Sequence, residues 1–107
     1  MDRRIVGIIG FIDRNLDPDI SLKRASRMAN LSYSYFSALF KKETGKRFLE
    51  YLVEKRIAKA QSLLRNPRRE IKEVCFLAGY GSLPRFYHDF KRTTGLTPGE
   101  YKKQQKS

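Results

Sequence analysis

Apolar positions along the chain recur at helical spacing, and no segment shows the alternation of a half-buried strand. Ile5, Ile8, Ile9, Ile12 and Leu16 fall at i, i+3, i+4, i+7 and i+11, one face of a first helix. Pro18 ends it, since proline cannot continue a helix and disfavours helical dihedrals at Asp17. A second, shorter helix is expected from about Ser21, with Leu22, Ala25, Ser26 and Ala29 inward. Asn30 follows, a residue that tolerates the left-handed conformation a tight turn demands. Ser32 then reads as the N-cap of a third helix over about 33–44, stopped by Gly45.

The longest periodic run covers about 47–65. Leu49, Val53, Ile57, Ala60 and Leu64 form its stripe, widened by Phe48, Leu52 and Leu63, and Asn66-Pro67 closes it. A fifth helix is expected over about 70–78 with Ile71, Val74 and Cys75 inward. Gly79-Tyr80-Gly81 makes a turn, and because it follows a helix and not a strand it does not read as a phosphate-cradling glycine loop. Ser82 caps a sixth helix over about 83–94, stopped by Gly95. Thr97-Pro98-Gly99-Glu100 has the form of a capping box with proline in the first turn, so a short last helix begins there.

The second half repeats the first. Between 32–51 and 82–101, Ser32/Ser82, Phe36/Phe86, Phe40/Phe90, Lys41/Lys91, Thr44/Thr94, Gly45/Gly95, Glu50/Glu100 and Tyr51/Tyr101 are identical. That is far above the one or two matches of chance, so the chain contains a duplicated unit. Upstream the offset drops by one, pairing Leu22/Ile71, Ala25/Val74, Ser26/Cys75, Ala29/Ala78, Asn30/Gly79 and Leu31/Tyr80. Each unit is a short helix, a tight turn and a serine-capped helix carrying Phe-x-x-x-Phe-Lys-Lys/Arg. Paired phenylalanines one turn apart bury one face of the second helix and leave the other free, as a helix-turn-helix requires. The expected architecture is all-α, with about seven helices and two helix-turn-helix lobes, 5–46 and 67–105, joined by a linker helix over 47–66.

Composition narrows the function. A chain of 107 residues supports one small domain or two lobes, and 40% hydrophobic content with seven Phe and six Tyr argues against disorder. Cys75, the single cysteine, cannot form an internal disulfide; His88, the single histidine, gives no basis for a histidine metal site. No apolar run reaches the roughly 18–20 residues of a membrane span. These bounds describe a soluble, cytoplasmic domain that needs no cofactor. The formal net charge is +12, while residues 1–20 hold Arg3, Arg4 and Arg14 against Asp2, Asp13, Asp17 and Asp19. The whole excess therefore lies beyond residue 20, and a field of that size attracts polyanions. A basic RNA-binding module and a helical protein-interaction domain remain alternatives to DNA binding. Against the first, no aromatic platform for single-stranded bases is apparent.

The run from Ser32, S-Y-S-Y-F-S-A-L-F-K-K-E-T-G, and the run from Gly79, G-Y-G-S-L-P-R-F-Y-H-D-F-K-R, resemble the DNA-binding domain of AraC/XylS-type transcription regulators. So does G-L-T-P-G-E-Y at 95–101, and the likeness covers about residues 5–103. The resemblance implies two reading helices, about 33–44 and 83–94, in successive major grooves of double-stranded DNA. A linker helix of about 18 residues spans about 27 Å, comparable with the roughly 34 Å between groove turns. By the same resemblance the base contacts fall on Ser34, Ser37 and Ala38 in the first unit and on Leu83, Pro84, Tyr87 and His88 in the second. Ala38 offers only a methyl group to a thymine, so most direct reading is expected from Tyr87 and His88. Lys41, Lys42, Lys91 and Arg92 are the phosphate candidates, with Arg85 standing where the family usually has an aromatic.

Single residues fit this picture. His88 lies opposite Phe86 and Phe90 without a serine, cysteine or carboxylate constellation, so catalysis has nothing to rest on. Cys75 is expected to pack, and Tyr51 and Tyr101 to be structural. Lys102, Lys103 and Lys106 either track phosphates or are simply solvated. The resemblance also implies contact with RNA polymerase, and an effector or receiver domain on a longer chain of which this is the output portion.

Overall fold

The computed structural model describes residues 1–105, and these hold seven α-helices and no strand: α1 (Arg3–Arg14), α2 (Leu22–Met28), α3 (Tyr33–Thr44), α4 (Phe48–Leu64), α5 (Ile71–Leu77), α6 (Leu83–Thr94) and α7 (Pro98–Gln104). They form two compact units, Met1–Leu52 and Val53 onward. The helix expected as a separate linker is thus shared: its first turn belongs to the first unit and the remainder to the second.

In the first unit Ile5, Ile8 and Ile12 of α1, Ala25 of α2 with Ala29 after it, Phe36 and Phe40 of α3, and Phe48 and Leu52 of α4 form one core. Phe48 meets Phe36 and Phe40 edge-on at centroid distances of 5.5 and 5.2 Å, a favoured geometry for aromatic pairs. α1 starts earlier than its apolar stripe indicates, because the Asp2 side chain accepts the Arg4 amide at 2.8 Å and caps the helix. Ile20, in the connection after α1, is also buried. It belongs to no helical stripe, so periodicity does not reveal it. Leu49, placed in the α4 stripe by its spacing, is 57% exposed. Its neighbours Phe48 and Leu52 occupy the first core instead, and Ile57, Ala60 and Leu64 fill the second. The buried row thus runs Phe48, Leu52, Ala60 and Leu64 with Ile57 beside it, and Leu49 falls off it.

The second unit is built on the same plan. Val74 and Cys75 of α5, Ala78, Phe86 and Phe90 of α6, and Ile57, Ala60 and Leu64 of α4 form its core, with Tyr80 from the turn. Tyr101 of α7 lies edge-on to Phe90 at 5.5 Å, as Tyr51 does to Phe40 at 5.3 Å. The two repeated tyrosines are core-edge residues. Cys75 is buried, its thiol pushed up by that burial, and its Sγ lies 3.6 Å from the Ser82 carbonyl.

Candidate nucleic-acid interface

The local chemistry that sets α3 and α6 is duplicated. The Ser32 and Ser82 hydroxyls accept the amides of Tyr35 and Arg85 at 3.2 and 3.3 Å and start the two helices. At the far ends Gly45 and Gly95 adopt φ of 78° and 83°, left-handed values that stop a helix. Thr44 and Thr94 each donate to the carbonyl of the phenylalanine four residues back, at 2.8 Å in both. Before each helix the turn is made by a left-handed residue, Asn30 and Gly79. Small buried side chains on the preceding helix, Ala25 and Ser26 in one unit and Cys75 in the other, bring it close.

With Phe36 and Phe40, or Phe86 and Phe90, fully buried, the opposite face of each helix is left to solvent. On α3, Ser34 and Ala38 are exposed and Ser37 half-buried; Lys41 and Lys42 stand exposed in the last turn. On α6, Leu83, Pro84, Tyr87 and His88 are exposed, and Lys91 and Arg92 occupy the last turn. Tyr87, His88, Lys91 and Arg92 line one open concavity of about 480 Å³ together with Thr97. Neither helix carries an acidic residue in its first turn, so nothing offsets the positive end of its dipole. Lys102 works inside its unit, its ammonium donating to the Arg69 carbonyl at 2.7 Å. Lys103 is exposed, and Lys106 lies outside the described residues.

Sequence reasoning missed a polar group at the base of α6. Asp89 lies between the buried Phe86 and Phe90, and its side chain is only 7% exposed. It accepts the Tyr80 hydroxyl at 2.9 Å and Arg85 Nε at 3.3 Å through the same oxygen, Oδ2. The Arg56 guanidinium lies 5.4 Å from the centre of the Tyr80 ring. Burial, and then the bond to Asp89, push the Tyr80 phenol well above the ordinary tyrosine range. The signal was present in the spacing, since 86, 89 and 90 share one helix face and an acid there must be buried. A second group was missed at the start of α1. Asp2 grips Arg4 with both carboxylate oxygens, at 3.1 Å to Nε and 3.0 Å to Nη2. This fork, with the Arg4 amide, holds the Asp2 carboxyl down to about 2. The same guanidinium lies 6.0 Å from the centre of the Tyr35 ring.

Among the described residues no group of three or more His, Cys, Asp and Glu side chains could hold a metal ion. No helix among them is long and apolar enough to cross a membrane. Two serine-capped helices, each on its own short supporting helix and each with an exposed basic face, define a double helix-turn-helix domain.

Comparison with known proteins gives the lineage. A family described as "Helix-turn-helix domain" matches residues 25–104. The chain belongs to this family and is an AraC/XylS-type DNA-binding domain of a transcription regulator, which is not an enzyme family. It is 31% identical over 100 residues to the uncharacterized HTH-type transcriptional regulator YtdP of Bacillus subtilis, a match covering 94% of this chain and 13% of that protein. Its fold matches the C-terminal domain of the two-component response regulator yesN from Fusobacterium nucleatum with a TM-score of 0.89 and 29% identity, over 94% of this chain and 99% of that one. It also matches the C-terminal domain of the response regulator AraT from Geobacillus stearothermophilus, at 0.91 and 26% identity, over 96% and 86%. The chain spans between 13% and 39% of the length of the first curated relatives it matches.

Proposed function

We propose that α3 and α6 are the reading helices of this DNA-binding domain, each entering a major groove of one duplex, with the two grooves successive. Ser34, Ser37 and Ala38 face bases in one half-site; Leu83, Pro84, Tyr87 and His88 face bases in the other. Lys41, Lys42, Arg85, Lys91 and Arg92 contact phosphates. The observation that carries this reading is the duplicated helix whose phenylalanine face is fully buried while its serine-capped, basic face is open. The second site reads more sequence than the first, because imidazole and phenol offer directed donors and acceptors where Ala38 offers a methyl.

The regulator to which this domain belongs works in the cytoplasm, with an effector or receiver domain on the rest of a longer chain and RNA polymerase as its partner. The likeness to C-terminal domains of response regulators favours the receiver. Selection of bound duplexes from a random pool tests the proposal. We expect a bipartite site with more information in the half read by α6. His88→Ala relaxes that half at particular bases, each worth about 1–3 kcal/mol. Lys41→Ala and Lys91→Ala weaken every site alike and lower the salt slope by about one. A selected site unchanged by His88→Ala overturns the base-reading assignment.

A further inference from the structure

We propose that a carboxylate-pinned arginine flanks each reading helix as a pre-set phosphate clamp: Arg85, positioned by Asp89, beside α6, and Arg4, positioned by Asp2, beside α3. The inference rests on the DNA-binding reading. It adds Arg4 to the contact surface and gives Asp89 and Tyr80 a positioning role.

The two sites lie at repeat-equivalent places. Arg85 and Tyr35 are the third residues of α6 and α3, and their amides bond the capping serines. At the first of these places the arginine is intrinsic to the helix. At the second the residue is a tyrosine, and Arg4 reaches it from α1. In both units, then, a guanidinium is associated with the third residue of a reading helix, as its own side chain in one and beside its ring in the other. Each is held by an acid that is better shielded than the arginine: side-chain exposures are 69% for Arg85 against 7% for Asp89, and 45% for Arg4 against 21% for Asp2. What faces outward is therefore the cation.

The two pins differ in what they leave free: Asp2 takes Nε and Nη2 of Arg4, so only Nη1 is without a bond to its acid. Asp89 takes only Nε of Arg85, so both terminal nitrogens remain for two oxygens of one phosphate, the end-on fork at which arginine differs from lysine. Asp89 is itself fixed by the Tyr80 hydroxyl. The arginine's rotamer freedom is thus surrendered on folding and not on binding, which is how pre-organisation raises affinity. Direct base reading by Arg85 is the lesser fit. At 100° per residue it lies at the edge of the exposed face, on the side of Arg92 and far from Leu83, Tyr87 and Lys91.

Charge alone predicts the opposite of this proposal, and that makes it testable. Removing an acid from a DNA-facing surface should tighten binding by simple Coulomb attraction. The test measures affinity for a mixed-sequence duplex by fluorescence anisotropy over a range of salt, with folding checked by circular dichroism. We expect Arg85→Ala and Arg4→Ala each to weaken binding about tenfold, the loss of one charge-assisted bond, and to lower the salt slope by about one. Asp89→Leu, the residue the first unit carries at this place, should weaken binding several-fold although it raises the net charge. Combined with Arg85→Ala it should add no further loss. Asp89→Asn, which keeps an acceptor oxygen for Arg85 and Tyr80, should bind as the wild type does. If Asp89→Leu proves unfolded, the exposed Arg85→Ala carries the test by itself. Tighter binding by a folded Asp89→Leu variant, or unchanged binding by Arg85→Ala, overturns the clamp at α6; unchanged binding by Arg4→Ala overturns it at α3. A wild-type chain that binds no duplex at low salt instead overturns the DNA-binding reading on which the clamp rests.

Discussion

The two units share a frame and differ in one place beneath the reading helix. The serine caps and glycine stops of α3 and α6, the threonine bonds, the paired phenylalanines and the flanking tyrosine correspond residue for residue. Where the first unit has Leu31 and Leu39, however, the second has Tyr80 and Asp89. Leu31 and Leu39 pack as half-buried apolar side chains against the first core, whereas Tyr80 and Asp89 form a buried hydrogen-bonded pair reached by Arg85. The difference teaches that the frame suffices to hold such a helix without a buried carboxylate. A buried carboxylate is weak support for stability, because desolvation offsets much of its attraction. Its presence in one unit only is more readily understood as aiming a side chain.

The frame itself can be broken first. Phe36→Ala and Phe86→Ala each remove a fully buried ring from the centre of one core, at an expected cost of about 3–5 kcal/mol. Amide hydrogen exchange should show the loss of protection concentrated in the unit that carries the substitution. Equal costs in urea would establish that the duplicated frames are energetically equivalent. A cost in one unit below about 1 kcal/mol would show that they are not.

The polar pair is the next target. Tyr80→Phe deprives a buried carboxylate of one of its two donors and should cost about 1–3 kcal/mol. Replacing both partners with the first unit's residues, Tyr80→Leu with Asp89→Leu, should cost less than Tyr80→Phe alone, since no buried polar atom is then left unpaired. The pair also sets an alkaline limit. In the unfolded chain tyrosine loses its proton near pH 10, while the folded phenol retains it. The folded state then binds more protons, so stability falls as pH rises from about 10 through the folded value. A urea midpoint that falls between about pH 9 and pH 11 in the wild type, and less steeply in Tyr80→Phe, is the expected result.

Much of this structure was legible in the residues because its signals are local. Ser32 and Ser82 before an apolar run, Gly45 and Gly95 after it, and Thr97 three residues before Glu100 mark helix ends by bonds that span four residues or fewer. α3, α6 and α7 begin where those signals put them. What escaped depends on contacts that periodicity does not encode. Leu49 satisfied the spacing of a single stripe, but Phe48 and Leu52 took the core. Ile20 is buried from a loop. Asp89 looks like a surface acid until Tyr80, nine residues away and across a turn, is known to meet it. Of the candidate contacts, the exposed faces followed from the placement of the phenylalanines. The pinning of Arg85 and Arg4 did not, since each depends on a carboxylate's orientation.

The glycine stops give a smaller and cleaner comparison. A Cβ added at Gly45 or Gly95 would meet no atom within 4 Å, so the cost of Gly45→Ala and of Gly95→Ala is conformational alone. Each should be about 1–2 kcal/mol. Thermal melts of the two variants should agree within error. A clear inequality would mean that the left-handed stops, alike in φ, are not alike in strain.

The smallest effect concerns the entry to the last helix of each repeat, where the cap residue differs. In the second, the Thr97 hydroxyl accepts the Glu100 amide at 3.1 Å and the Thr97 amide donates to the Glu100 carboxylate at 2.9 Å. The first keeps the glutamate as Glu50 but has Arg47 in place of the threonine, with its Nε 4.0 Å from that carboxylate. Thr97→Ala should cost about 1 kcal/mol. Arg47→Thr restores the pattern Thr-x-x-Glu ahead of α4 and should return up to about that much. Acid sensitivity separates capping from other causes. The backbone amide of Thr97 lowers the Glu100 carboxyl below the usual glutamate value. Its contribution is therefore complete above that usual value and lost as pH falls through the lowered one. If the box is what stabilises α7, Thr97→Ala shows a flatter decline in that acid window than the wild type. Arg47→Thr, by building a second box, shows a steeper one.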